Sequence, residues 1–191
     1  MNVTDKIQIT NEDNMSLMSR YEDNYFDLAI VDPPYGIERF KNVTANPSEK
    51  DVHAKRFQKM ELINNNKPTK EYWNELFRVS KNQIVWGANN FNLPQSEYFL
   101  VWDKKQAMPN FARCELAFVS MGLKKPAKIF EYSIHKHNQV KKIHNTQKPI
   151  SLYEFCLMTY AKGGDKILDT HLGSGSIALA CHNLDYELTA C

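Results

Sequence analysis

The apolar run Phe26-Asp27-Leu28-Ala29-Ile30-Val31 stops abruptly at Asp32-Pro33-Pro34-Tyr35. A short, almost continuous apolar stretch that ends in a turn is the pattern of a strand buried on both faces. Such strands belong to parallel sheets, which need helices on both sides. The rest of the chain fits this frame. Strands are expected at 7–9, 84–86, 98–102, 115–119, 166–169 and from 186 onward. Helices are expected at 15–18 with Asn14 near the cap, from 72 to near 81, at 151–160 and at 177–183. Strands that alternate with helices predict an α/β fold with a mainly parallel sheet.

The 191 residues can bury one sizeable core, and no internal repeat or linker divides them. One domain, 1–191, is expected. Residues 39–70 are rich in Asn, Lys and Glu and read as a lid or a surface insertion. The net charge of +2 says little about partners, but its distribution says more. Residues 121–148 hold seven Lys against the single acid Glu131. A solvated face has this composition, and so does a patch that meets a polyanion. Residues 120–147 are therefore the candidate for a small basic insert.

The four cysteines, Cys114, Cys156, Cys181 and Cys191, lack the close spacing of a zinc site. They are expected as reduced thiols. No metal is expected. The first residues lack a signal-peptide pattern, and no window approaches a membrane span. A cytoplasmic location without membrane contact is the expectation.

Two segments carry chemistry. In Asp32-Pro33-Pro34-Tyr35 the acid lies at the carboxyl end of a strand, where open α/β sheets bind ligands. Pro34 holds Pro33 extended, and neither proline has an N–H, so their carbonyls are free to face a ligand. A carboxylate and a carbonyl can accept the two hydrogens of an exocyclic base amine and stabilise positive charge on its nitrogen. The Tyr35 ring can stack on a base that has left the duplex. A stiff turn is the plainer reading of the same residues. The second segment is Leu168-Asp169-Thr170-His171-Leu172-Gly173-Ser174-Gly175. Its Gly-x-Gly between a strand and a helix lets a ligand approach the backbone. It lacks the Lys-Ser/Thr ending of a phosphate-binding P-loop.

Together these segments resemble the amino-methylating DNA methyltransferases, which act on adenine N6 or cytosine N4 with S-adenosylmethionine. Asp32-Pro33-Pro34-Tyr35 matches their catalytic motif, and residues 168–175 are similar to their cofactor motif. Asn145-Thr146-Gln147-Lys148-Pro149 resembles the segment before it, and Glu12-Asp13 resembles the acidic site near the cofactor adenine. The catalytic motif precedes the cofactor motif, which is the family's β arrangement, a circular permutation.

The resemblance implies a Rossmann-like S-adenosylmethionine-dependent methyltransferase sheet. It implies Asp32, Pro33, Pro34 and Tyr35 as catalytic residues. Asp13, Asp32, Lys148, Asp169, His171, Gly173 and Gly175 would surround S-adenosylmethionine. The basic insert would be the target-recognition region, with Lys124, Lys125, Lys141 and Lys142 on the phosphates of double-stranded DNA.

An Asp at the first catalytic position fits adenine best within the family, with cytosine N4 the alternative. Methylation of a protein amide or RNA is argued against by Asp32 and the permuted order. Thr170 and His171 stand where the family usually has Pro and Phe. The acid that would hold the cofactor ribose is not found after the last strand. That predicts a truncated form with weak or no cofactor binding, or a non-catalytic DNA-binding remnant.

Overall fold

The computed structural model describes residues 4–36, 66–109, 111–139 and 147–191. The expected lid at 39–70 lies largely outside these residues. So do Lys141, Lys142, Asn145 and Thr146.

Among the described residues eight strands form one sheet: β1 (Ile7–Ile9), β2 (Leu28–Val31), β3 (Gln83–Trp86), β4 (Phe99–Asp103), β5 (Cys114–Val119), β6 (Lys128–Glu131), β7 (Lys166–Asp169) and β8 (Glu187–Ala190). Their order is β1-β8-β7-β2-β3-β5-β4-β6. The first and last strands in the chain are neighbours, with Ile7 opposite Leu188. This is the geometry a circular permutation requires. β1, β8, β7, β2 and β3 run parallel, and β5 runs against both β3 and β4.

The α-helices of the described residues are α1 (Asn14–Met18), α2 (Lys70–Val79), α3 (Ile134–Gln139), α4 (Ile150–Tyr160) and α5 (Ser176–Asn183). Successive strand residues serve opposite layers. Leu28, Ile30, Ile84, Trp86 and Ile167 pack with Leu152, Cys156 and Leu157 of α4 and with Ile177, Ala180 and Cys181 of α5. Ala29, Val31, Val85 and Leu168 pack with Leu17 and Met18 of α1 and with Tyr72, Leu76 and Val79 of α2. The central strands are therefore buried on both faces, which is why they read as unbroken apolar runs.

The expected strands and helices form within two residues of their sequence bounds; β2 starts at Leu28 and α2 ends at Val79. Asp13, not Asn14, caps α1: its Oδ1 accepts from the amides of Met15 and Ser16 at 2.9 and 3.2 Å. Two elements were not expected, β6 and α3, both within the basic stretch. β6 completes the sheet edge against β4, so that part of the stretch belongs to the main sheet.

Cys156 and Cys181 are buried, Cys114 is exposed, and all four cysteines are free thiols. Among the described residues no helix is long and apolar enough to cross a membrane, and no cluster has the makeup of a metal site.

Candidate active site

β7 and β2 are adjacent and parallel. The chain leaves β7 toward β8 on one side and leaves β2 toward β3 on the other. The carboxyl ends of β7 and β2 thus flank the point where the strand order reverses, the usual crevice of an open α/β sheet. Asp169 ends β7 and Asp32 follows β2.

Asp32 is held from two sides. The Tyr35 hydroxyl donates to its Oδ1 at 2.6 Å, and the Lys148 ammonium donates to its Oδ2 at 2.6 Å. Lys148 also donates to the Tyr35 oxygen at 3.2 Å and lies 5.8 Å from the centroid of the Trp86 ring. Tyr35 is therefore turned into the site. Its ring leaves no room for a side chain at Gly87, where a Cβ would lie 2.2 Å from the Tyr35 Cε1. Burial pushes the Tyr35 hydroxyl well above its ordinary pKa, against the opposing pull of Lys148, and the charge of Asp32 adds to the rise.

Lys148 is only 5% exposed, and its ammonium sits between two carboxylates. The second is Glu115 on β5, whose Oε2 is 3.0 Å away. Glu115 in turn binds Lys104 through Oε1 at 2.6 Å. Burial alone would lower the Lys148 pKa, but Asp32 and Glu115 outweigh it and hold it well above the usual lysine value. Burial alone would raise the Glu115 pKa, but Lys148 and Lys104 pull it down to about 2. The four groups form a partly buried, charge-balanced chain, Asp32–Lys148–Glu115–Lys104. Glu115 and Lys104 did not stand out in the sequence. The only signal was a charge within the apolar segment of β5 and another just past the end of β4.

The loop after β7 is built by glycine and by β8. Gly173 and Gly175 have φ of +53° and +73°. The Leu172 amide donates to the Cys191 carbonyl at 2.9 Å, and the Cys191 amide to the Asp169 carbonyl at 3.1 Å. A Cβ at Gly175 would meet nothing within 4 Å, and one at Gly173 only the His171 carbonyl at 3.7 Å. The loop backbone therefore faces open space, with room for a ligand to approach.

Asp169 is 1% exposed, and its Oδ1 accepts from the His171 amide at 2.9 Å. Burial pushes its pKa up to about 7, partly opposed by that hydrogen bond. Thr170 and His171 face α2. The Thr170 hydroxyl lies 2.7 Å from the Tyr72 hydroxyl and 3.0 Å from His171 Nδ1. The His171 ring packs edge-on to Tyr72 at 5.3 Å, and its Nε2 is 3.4 Å from the Asn14 amide. Burial lowers its pKa to about 4, so it is neutral at pH 7. It fills an aromatic position and keeps polar partners.

The structure thus brings together Asp32, Tyr35 and Lys148, with Asp169, His171, Gly173 and Gly175 on the adjacent strand end. Asp13 lies at the same sheet edge, after β1. Lys124 and Lys125 do not join them. β5 runs antiparallel, so its end at Val119 meets the start of β3. Ser120 bonds the Gln83 backbone there, and the next turn brings Gly122 against Asn82. Lys124 and Lys125 follow that turn, at the sheet edge opposite Asp32.

A protein-family profile described as DNA methylase, of the N6/N4 type, matches residues 63–189. The chain belongs to the N6/N4 DNA methylase family. The matched residues take in Lys104, Glu115, Lys148 and the loop after β7, and begin after Tyr35. Two curated type II methyltransferases are similar. M.HpaI from Haemophilus parainfluenzae is 38% identical over 61 residues, which span 31% of this chain and 19% of that protein. M2.MboI from Moraxella bovis is 26% identical over 216 residues, covering 90% of this chain and 77% of that one.

Solved structures share the fold. The M1.HpyAVI–SAM complex has a TM-score of 0.57 at 19% identity, covering 96% of this chain and 92% of that chain. The cytosine-N4-specific PvuII DNA methyltransferase has a TM-score of 0.58 at 12% identity, covering 95% and 80%. The N6/N4 methylase sheet and its permuted order are accordingly those expected from the sequence.

Proposed function

We propose that this chain methylates adenine N6 in double-stranded DNA, with S-adenosylmethionine as methyl donor. The observation that carries the reading is the pairing of two strand ends. The Asp32–Tyr35 cluster follows β2, and the glycine-lined loop follows the adjacent β7. A base amine at the first and a methyl donor over the second would meet in the crevice between them. The M1.HpyAVI–SAM complex shares the fold, which supports that placement. Asp13, Lys148, Asp169, His171, Gly173 and Gly175 would surround the cofactor. Bound there, it supplies an electrophilic methyl group on a sulfonium.

The chain's own residues prepare the amine. An exocyclic amine is a weak nucleophile because its lone pair is conjugated with the ring. Each Asp32 oxygen has two lone pairs, so the carboxylate can accept from the amine while still holding Tyr35 or Lys148. The Pro33 carbonyl accepts the second hydrogen. Both acceptors stabilise positive charge as the nitrogen–methyl bond forms and the sulfur–methyl bond breaks. Asp32 is placed to take up the proton the nitrogen then loses. Tyr35 lies against the base once it has left the stack. Asp at position 32 supports adenine as the target.

The test is nucleoside mass spectrometry. Unmethylated DNA is incubated with the chain and S-adenosylmethionine, digested and scanned for both methylated bases. N6-methyladenine is expected, and D32A abolishes it with less effect on DNA binding. N4-methylcytosine instead would keep the mechanism and overturn the choice of base. Absence of both products would overturn catalysis by this chain, while salt-sensitive DNA binding without transfer is the outcome expected of a non-catalytic remnant.

A further inference from the structure

Lys148 and Asp32 pose a problem for the proposed reaction. As the amine nitrogen gains a methyl group it gains positive charge, and an ammonium paired with the same carboxylate opposes that. Two of the three N–H donors of Lys148 are directed to Asp32 and Tyr35. Glu115 Oε2 is close enough to form an ion pair with Lys148 but lacks hydrogen-bond alignment. It is a buried acceptor atom with no hydrogen bond among the described residues. An ion-paired carboxylate oxygen without a directed hydrogen bond still has acceptor capacity open. Here it faces the Lys148 ammonium 3.0 Å away.

We propose that Glu115 is a positioning residue: a second seat for the Lys148 ammonium, which turns from Asp32 to Glu115 as Asp32 takes up the target amine. The inference rests on the functional reading above. The move is a rotation of one side chain between two acceptors, and no bond to carbon changes. Lys104 anchors Glu115 through its other oxygen, so the seat stays in place when the ammonium arrives. The charge count supports the same reading. Two carboxylates and two ammonium groups balance, and loss of Glu115 leaves the cluster with one excess positive charge beside the reacting nitrogen. The two tyrosines close to Lys148, Tyr35 and Tyr153, are both shifted by burial toward the neutral phenol, so the carboxylates alone supply its counter-charge.

The first arm of the test needs no catalysis. Lysine Nζ resonances are recorded by NMR in isotope-labelled full chain at pH 10.5, the ordinary lysine value, with Lys148 assigned by its loss in K148R. A buried lysine without a partner loses its proton well below that pH. In D32N, Lys148 is expected to stay protonated because Glu115 holds it, and in D32N/E115Q it is expected to be neutral. Equal behaviour of the two variants overturns the proposal. If E115Q fails to fold, E115D takes its place: it keeps the charge and widens the gap. D32N/E115D is then expected to hold the proton less tightly than D32N, and no difference overturns the seat.

The second arm is kinetic. E115Q is expected to lower kcat at least tenfold, the equivalent of about one pK unit, with little change in the KM for S-adenosylmethionine. In a K148M background E115Q is expected to add nothing further, because Glu115 acts through Lys148. Additive losses overturn the proposal. A wild-type chain that transfers no methyl group leaves the NMR result standing and overturns the functional reading instead.

Discussion

Gly87 is a position near the site where no side chain fits. Its φ is +70°, and the Tyr35 ring occupies the space a Cβ needs. Alanine there costs ~1–2 kcal/mol for the backbone alone, before Tyr35 is displaced. G87A is expected to lower the melting temperature and to abolish methyl transfer, because Tyr35 can no longer hold Asp32. A G87A chain with normal turnover would show that the Tyr35 position is unimportant. Asp169 makes an opposite kind of prediction. Its folded pKa of about 7 stands above the ordinary 3.8. Below pH 3.8 the carboxyl is protonated in both states and costs nothing. As pH rises toward 7 the unfolded chain ionises first, so stability falls, by ~4 kcal/mol at most once the folded group also ionises. D169N removes this penalty and is expected to raise the melting temperature more at pH 8 than at pH 5, while weakening cofactor binding. An equal gain at both pH values would count against the buried, uncompensated carboxyl.

At the scale of elements, α1 depends on a residue that is also a candidate for the cofactor site. Asp13 caps it through one oxygen, which accepts from two backbone amides. Loss of such a cap costs ~1 kcal/mol. D13A is expected to destabilise by that amount in chemical denaturation, while D13N, which keeps a capping oxygen, is expected to be close to neutral. Both variants are expected to bind S-adenosylmethionine more weakly if the Asp13 charge also serves the cofactor, so D13N separates the two roles. Elements also mark where the sequence could be read. β2, β3 and β7 are buried on both faces, and their apolar runs were plain. β6 lies at the sheet edge with Ile129 63% exposed, in a segment crowded with lysine. An edge strand that buries little leaves little pattern, and charge there is what edges usually carry.

At the scale of the whole molecule the sheet direction decides which cations can meet DNA bound at the site. Lys124 and Lys125 lie at the edge opposite Asp32. Arg113, just before β5, and Lys136 on α3, just after β6, are exposed and stand on the Asp32 side. The Arg113 carbonyl accepts from the Lys104 amide, and the Ile134 amide at the α3 start donates to the Lys104 carbonyl, so both positions flank the Asp32–Lys148–Glu115–Lys104 chain. R113Q and K136Q are each expected to lower the slope of log affinity against log salt by ~1, the loss of one phosphate contact. K124Q and K125Q are expected to leave it unchanged. The reverse result, read from a salt series of DNA-binding titrations, would place the duplex elsewhere.

The sequence by itself determined the α/β class, where its main strands lie along the chain and the two chemical segments at 32–35 and 168–175. Those depend on local pattern: apolar runs long enough to cross a core, punctuated by proline or glycine. Glu115 as the partner of Lys148, Gly87 as the support of Tyr35 and the separation of Lys124 from Asp32 were decided only by tertiary structure. Each depends on which strands are neighbours and which way they run. A charged residue in β5 has no partner in the chain nearby, and only the antiparallel placement of that strand beside β3 and β4 brings its carboxylate to the buried lysine.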